Sequence, residues 1–376
     1  MRIFFDVLHL YYLPQFLPIY RELRRRDIPG LEVMFVLYTQ IDSAEMTQIL
    51  KDAVATEQLP VSWVGTLEQG LALYKTQQPN WIIFGKGYKY LDDLPAACKT
   101  AMVNHGAGIK SSHQNTDACR FNIRFAQGPY QLQQLKKSYP PGNFIDVGFA
   151  KLDPLFRSEP VSGTLTLSAL GLDPDKKTLL YAPTFYPSSI ELFADDWPRQ
   201  FSDYNLIVKP HFFTLSKKRY RAQQRKLARW KAADNVHVAG AAEYSLLPFF
   251  AIADLLISDA STALFEFAAL NKPVVWCDFL KLRWTYRGLF AFRHKRRMDQ
   301  DILVYADIAA HAPAYNQLLP IVQRQLAHPQ EHEKQRLEYA QLLLGRFDGR
   351  VSERIVDSLL AYCVLLSIVS TDYYGT

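Results

Sequence analysis

Three short stretches of this chain carry side chains able to handle phosphate. Asn104-His105-Gly106-Ala107-Gly108-Ile109-Lys110 follows an apolar run. Its glycines let backbone approach a ligand closely, His105 can serve as a base near neutral pH, and Lys110 can neutralise phosphate. Val208-Lys209-Pro210-His211 ends a second apolar run with the same two residue types, a lysine and a histidine. Ser258-Asp259-Ala260-Ser261-Thr262 ends a third. Small hydroxyl-bearing residues favour helix N-caps, where backbone N–H groups and the positive dipole end suit an anion. Taken singly, each stretch also has an ordinary reading: a tight turn, a structural histidine, a well-capped helix. Two histidines, each ending a strand and one in each half of the chain, make a shared site the stronger reading.

Several familiar constellations are missing. No Gly-x-Gly-x-x-Gly follows a strand and there is no P-loop; Asp92-Asp93 and Asp195-Asp196 are bare pairs without metal–diphosphate spacing. His105 and His113 have no third partner at metal-ligand spacing. Nothing singles out the facing carboxylates of a glycoside hydrolase. Basic residues do cluster: Ser216 to Asp234 holds eight Lys/Arg before its first acid, interleaved with Tyr220 and Trp230. Lys281 to Arg297 adds seven more among further aromatics. Such surfaces suit an anionic membrane face or a polyanion, and no nucleic-acid motif accompanies them.

The elements that must position these groups alternate strand and helix. In the first half, strands are expected at Arg2–Leu8, Leu31–Tyr38, Val61–Val64, Trp81–Phe84, Met102–His105, Arg124–Ala126 and Phe144–Val147. Helices are expected at Leu13–Arg26, Ser43–Thr56 and Leu67–Gln77. The second half repeats the pattern with strands at Thr178–Tyr181, Leu206–Val208, Val236–Val238, Leu255–Ile257 and Val274–Trp276, and a helix from Ala263 to Leu270. Alternation of this kind predicts mostly parallel sheets covered by helices. A hydroxyl-rich turn after a buried strand sits where open α/β sheets bind ligands.

With 376 residues, 49% apolar and 21% charged, the chain suits two globular domains. A boundary is expected near Arg157 to Thr166, giving domains 1–157 and 166–350 and a C-terminal helix and tail at 351–376. The net charge of +6 is mild, so only its local clustering bears on partners. Four scattered cysteines argue against a disulfide framework or zinc site and fit a reducing cytosol. No run is long and apolar enough to span a bilayer. The N-terminal apolar run lacks a cleavage site and is interrupted by Asp6 and His9, so it reads as strand and helix.

Several stretches, in order, resemble the CDP-glycerol glycerophosphotransferase family of teichoic-acid and capsule synthesis. The segment from Asn104 to Lys110 is similar to that family's Trp-His-Gly-Thr-Pro-Leu-Lys. Gly148-Phe149-Ala150-Lys151-Leu152-Asp153 resembles its Gly-Tyr-Pro-Arg-Asn-Asp, and Tyr181-Ala182-Pro183-Thr184-Phe185 its Tyr-Ala-Pro-Thr-Trp/Phe. Lys209-Pro210-His211 matches Lys-x-His, and Ser258 to Thr262 the family's Thr/Ser-Asp-Tyr-Ser-Ser. The run from Asp348 to Ile355 echoes a late Asp-Gly-Lys-Ala-Ser-Glu-Arg. Ala107, Gly108, Lys151, Leu152, Phe212 and Ala260 depart from these patterns, which leaves the identity of the transferred group open.

The resemblance implies a GT-B-like α/β fold: two Rossmann-like domains facing each other across a cleft, acceptor domain first and nucleotide-donor domain second. It implies transfer of glycerol phosphate, or a related polyol or sugar phosphate, from a CDP-linked donor to a hydroxyl. The acceptor would be a polyol-phosphate, glycan or lipid-linked molecule, and CMP would leave. His105 and His211 would be catalytic, with Lys110, Thr184, Lys209, Asp259, Ser261, Thr262 and Glu266 binding donor phosphate. No cofactor is required on this reading, although Mg²⁺ can arrive with the diphosphate. The protein is expected in the cytoplasm, on the inner face of the membrane where lipid is its partner, and not on nucleic acid. Two alternatives stay open: a GT-B glycosyltransferase using a nucleotide sugar, and a non-catalytic scaffold in a polymer-synthesis complex.

Overall fold

A computed structural model describes residues 1–104, 106, 120–157, 165–282, 288 and 300–373. His105, Lys110 and most of the second basic cluster lie outside the described residues. The chain divides into two compact units, 1–159 with 343–376, and 160–342.

The described strands of the first unit are β1 (Arg2–Val7), β2 (Glu32–Tyr38), β3 (Val61–Val64), β4 (Trp81–Phe84), β5 (Lys99–Val103), β6 (Ile123–Ala126) and β7 (Phe144–Asp146). They form one sheet in the order β3-β2-β1-β4-β5-β6-β7, and neighbouring strands pair in parallel throughout the described residues. Central strands such as Trp81-Ile82-Ile83-Phe84 are buried along their whole length, as the apolar runs require of a sheet covered on both faces. The β5 strand begins three residues earlier than its apolar run, because Lys99 and Thr100 pair with Trp81 and Ile82 despite their polarity.

The second unit carries β8 (Thr178–Ala182), β9 (Asn205–Val208), β10 (Val236–Val238), β11 (Leu255–Ser258), β12 (Val274–Cys277) and β13 (Ala310–Ala312). Their order is β10-β9-β8-β11-β12-β13, again with parallel pairings. Counted from each unit's own first strand, both sheets begin 3-2-1-4-5-6, the doubly wound order with a switch point beside the first strand. The expectation of two Rossmann-like α/β domains is met. β13 is the strand the sequence did not disclose, since Ala-His-Ala has neither length nor alternation.

Two of the family-like motifs turn out to be partners inside the first unit. The buried Asp153 carboxylate accepts from the N–H groups of Val351 (3.1 Å) and Ser352 (2.7 Å) and from the Ser352 hydroxyl (2.6 Å). It therefore caps the final helix, Val351–Tyr373, from nearly 200 residues away in the chain. Gly345 (φ +81) passes so close that a Cβ there would meet Gly148 Cα at 2.8 Å. Arg157 joins the same junction, reaching Glu353 (3.2 Å) and the fully buried Glu22 carboxylate (3.3 Å) on the first helix, Leu13–Arg25. Tyr362 packs edge-on to Trp81, so the last helix lies against the first sheet.

Beneath the carboxyl edge of β1, Asp6 is buried and accepts a 2.6 Å hydrogen bond from each of the Tyr38 and Tyr74 hydroxyls. Burial pushes its carboxyl from 3.8 up to about 6, against the pull of those hydroxyls, Lys86 and His9. A raised folded-state value means the group's stabilising contribution is complete below about pH 3.8 and is lost as pH rises through about 6. The shift corresponds to about 3 kcal/mol. Asp6→Asn keeps an acceptor for both tyrosines, so urea unfolding between pH 4 and 7 should show that decline in the parent protein and not in the variant. Parallel pH profiles would contradict the assignment.

Candidate functional site

The site is built at the switch point of the second sheet, where β8 and β11 run side by side. Ser258, the last residue of β11, donates from its hydroxyl to the Ala182 carbonyl at the end of β8, locking the two strand ends together at 2.6 Å. Asp259 follows, and its carboxylate is almost wholly buried. One oxygen accepts from the Thr184 N–H (3.0 Å), the Thr184 hydroxyl (3.1 Å) and the Ser188 hydroxyl (2.9 Å). The other accepts from the Ser189 N–H (3.1 Å) and from the Ser189 hydroxyl. Burial lifts the Asp259 carboxyl above the usual range, and the donors of Ser189, Ser188 and Thr184 work in the opposite sense.

This geometry gives Asp259 a definite task. Its oxygens are committed to the loop from Pro183 to Ser189, which includes the cis Tyr186–Pro187 bond. Thr184 is committed too, its hydroxyl also donating to the Pro187 carbonyl at 2.7 Å. Both residues were expected among the phosphate ligands; the structure makes them the frame that shapes the loop. Ser188 and Ser189 complete that frame and were not foreseen, although two hydroxyls directly after Pro187 are a signal of an ordered turn.

Lys209 and His211 come to the same edge on the neighbouring strand. Lys209 is buried just past β9, its N–H donating to the Tyr181 carbonyl on β8 at 2.9 Å. His211 N-caps the short helix Phe212–Ser216, its Nδ1 accepting from the Phe213 N–H at 3.1 Å. An accepting Nδ1 puts the proton of the neutral ring on Nε2, so His211 presents a donor there. The ring packs 4.6 Å from Phe185, the residue after Thr184, which ties the Lys-Pro-His segment to the loop that Asp259 holds.

Ser261 and Thr262 follow Asp259 after one intervening residue, Ala260; both are partly exposed, with the Ser261 hydroxyl accepting from the Ala263 N–H (3.3 Å) at the start of the helix Ala263–Ala268. Glu266 is buried within that helix. The structure thus brings Thr184, Lys209, His211, Asp259, Ser261 and Thr262 to one sheet edge, with Glu266 in the helix that follows.

A second carboxylate was also missed. Past β10, Glu243 accepts from the Gly240 N–H (2.7 Å) and pairs with His237 Nε2 (2.8 Å). Its carboxyl is held below the ordinary range: burial opposes this, and the His237 and Gly240 hydrogen bonds, His237's charge and that of Lys209 outweigh it. Glu243 therefore stands within the field of Lys209. No cluster of three or more His, Cys, Asp or Glu side chains suited to a metal occurs among the described residues.

A family model described as CDP-glycerol:poly(glycerophosphate) glycerophosphotransferase matches residues 12–361. The chain belongs to that family. Among glycerophosphotransferase-family relatives, the teichoic acid glycerol-phosphate primase of Bacillus subtilis (strain 168) is 31% identical over 160 residues, which cover 41% of this chain and 39% of that one. The teichoic acid poly(glycerol phosphate) polymerase of Bacillus spizizenii is 26% identical over 189 residues, 46% of this chain and 45% of that one. The matched stretches span less than half the length of these curated relatives. A solved variant of the wall teichoic acid polymerase TagF superposes with a TM-score of 0.68 at 12% identity, covering 96% of this chain and 88% of TagF. That likeness, with the two doubly wound sheets, gives this glycerophosphotransferase-family chain its GT-B-like fold class.

Proposed function

We propose that this chain transfers glycerol phosphate, or a closely related polyol phosphate, from a CDP-linked donor to a hydroxyl of a teichoic-acid-type polymer. In the step, the acceptor oxygen bonds to the β-phosphorus of the donor, the bond from that phosphorus to the bridging oxygen breaks, and CMP leaves with that oxygen. The acceptor's proton passes to a base, the role we assign to His105 on its motif. The observation that carries the reading is the placement of Lys209 and His211 just past β9 and of the Ser261-Thr262 turn just past β11, on the carboxyl edge of the second sheet that includes its switch point. Phosphoryl transfer needs position and charge stabilisation above all, and cationic and N–H donors supply both. Lys209 and His211 would take up charge developing on the phosphates, while Ser261 and Thr262 hold the diphosphate. TagF has been solved after soaking with CDPG, which supports a donor of that class for this relative.

The partner surface follows from the first basic cluster. Lys217, Lys218, Arg219, Arg221, Arg225 and Lys231 are exposed along the helix Arg221–Trp230 and the turn before it. Leu227 and Trp230 anchor the opposite face in the core. An exposed cationic face on a buried apolar stripe fits anionic lipid headgroups, so we place the protein peripherally on the cytoplasmic membrane face. No described helix is long and apolar enough to cross a membrane. Co-sedimentation with phosphatidylglycerol vesicles that disappears on reversing these charges is the expected outcome; binding unaffected by the reversal would remove the assignment.

A donor screen tests the function. CDP-glycerol, CDP-ribitol, UDP-N-acetylglucosamine and CMP-sialic acid are offered with a poly(glycerol phosphate) acceptor, with and without EDTA. Acceptor-dependent turnover with a CDP-polyol alone, persisting in EDTA, is expected. Turnover only with a nucleotide sugar would replace this reading by glycosyl transfer.

A further inference from the structure

The first sheet has the same strand order as the second, and its own switch point lies between β1 and β4. The carboxyl edge there is as densely furnished as the donor site, yet nothing in the scheme above uses it. His9 follows β1, and its Nδ1 lies 2.8 Å from the Asp42 carboxylate on the loop after β2. Both side chains are 19% exposed. Asp42 is held in place from the next residue, since the Ser43 hydroxyl caps the helix Ala44–Glu57 by accepting from Met46 N–H. The Tyr11 ring stacks on the imidazole, centroids 4.9 Å apart and planes 17° apart, and Tyr11 is 48% exposed. Tyr12 meets the same imidazole edge-on at 5.6 Å. Lys86, exposed after β4, acts electrostatically on Asp6 below this edge. Between β4 and Lys86, Gly85 is pressed against the Tyr12 ring, where a Cβ would sit 2.6 Å from a ring carbon.

A carboxylate on Nδ1 fixes the imidazole tautomer and leaves Nε2 as the ring's acceptor. An acceptor nitrogen beside an exposed aromatic ring, on a sheet edge that also carries Lys86 after the neighbouring strand, has the chemistry to bind a polyol phosphate. A hydroxyl donates to Nε2, the carbon chain lies on the ring of Tyr11, and phosphate meets the ammonium.

We propose that His9, Asp42, Tyr11 and Lys86 form a binding site for the hydroxyl-bearing end of the acceptor, a polyol-phosphate unit. This rests on the phosphotransferase reading for its place in the reaction, and on the first unit's geometry alone for the ligand class. His9 and Tyr11 touch the ligand; Asp42 is a positioning residue that acts through the imidazole.

Two measurements on the full chain keep the two readings apart. Titration with sn-glycerol 3-phosphate and with a short glycerol-phosphate oligomer, no donor present, reads the site directly. Steady-state kinetics with CDP-glycerol then reads its part in turnover. His9→Gln and Tyr11→Ala should each weaken oligomer binding, and raise the acceptor KM, by about tenfold with the donor KM unchanged. Asp42→Asn is the discriminating variant. An amide in that position can donate to Nδ1 and move the proton to Nε2, converting the acceptor into a donor, so it should match His9→Gln despite its near-identical shape. Oligomer binding lost in the variants while no CDP-linked donor is used would uphold the site and sink the phosphotransferase reading. Acceptor binding and KM unchanged in all three variants, whatever their thermal stability, would overturn the site.

Discussion

Asp259→Ala is expected to unfold the loop from Pro183 to Ser189 and to abolish donor binding. The substitution leaves four donors, the N–H groups of Thr184 and Ser189 and the hydroxyls of Ser188 and Ser189, without the acceptor that now receives them, while the Thr184 hydroxyl keeps the Pro187 carbonyl. Each buried donor deprived of its partner costs about 1–3 kcal/mol before relaxation, and removing one side of such a buried charged network typically costs about 3–5 kcal/mol in all. Against a total stability of about 5–15 kcal/mol, that is a large fraction. Chemical denaturation followed by the buried Trp197 and Trp230, both in the second unit's core, measures it. Asp259→Asn retains one oxygen and should fall between the parent and the alanine variant. Parent-like denaturation and donor affinity in Asp259→Ala would show that the loop is held by other means.

Replacing His211 should cost turnover rather than fold, provided the right residue is chosen. Its Nδ1 caps a helix, so His211→Ala mixes a lost cap, worth about 0.5–2 kcal/mol, with any lost chemistry. His211→Asn separates them, because an asparagine oxygen can accept from Phe213 N–H while nothing replaces the Nε2 donor. Both variants should lose about a hundredfold to a thousandfold in turnover, the range for removing one preorganised donor from developing charge. His211→Asn should keep near-parent stability. Turnover retained in His211→Asn would reduce His211 to a helix cap that happens to stand at a strand end. The two variants together therefore decide between a structural and a chemical histidine without relying on either one alone.

What the sequence disclosed about the fold came from runs whose burial is local. Trp81-Ile82-Ile83-Phe84 and Leu255-Leu256-Ile257 are short apolar runs bounded by polar or turn residues, the length and composition of strands buried on both faces. Ala310–Ala312 escaped notice because its place beside β12 is set by pairing with Val275 to Cys277, a fact about a neighbour rather than about itself. The site was legible to the same degree. Lys209, His211, Ser261 and Thr262 were visible as residue types at strand ends, and the structure puts them on one edge. The work of Asp259 was not, since a carboxylate in a hydroxyl-rich turn reads equally well as a ligand to substrate or as an acceptor for the protein's own donors. Asp153 makes the same point across a longer distance. Its motif and the one beginning at Asp348 look like two separate signatures, and only in three dimensions do they prove to be a cap and the helix it caps. The pairing of His9 with Asp42 was not legible because 33 residues separate them, and His9 on its own shows only as a break in an apolar run.

The central claim is that the acceptor attacks phosphorus, and the fate of that phosphorus tests it most directly. A CDP-glycerol donor labelled at the β-phosphate with ³²P is incubated with the poly(glycerol phosphate) acceptor, and nucleotide and polymer are separated. The label is expected in the polymer as a phosphodiester, with one unlabelled CMP released for each unit added. Label leaving in CDP, with an unphosphorylated group joined to the acceptor, would contradict the account.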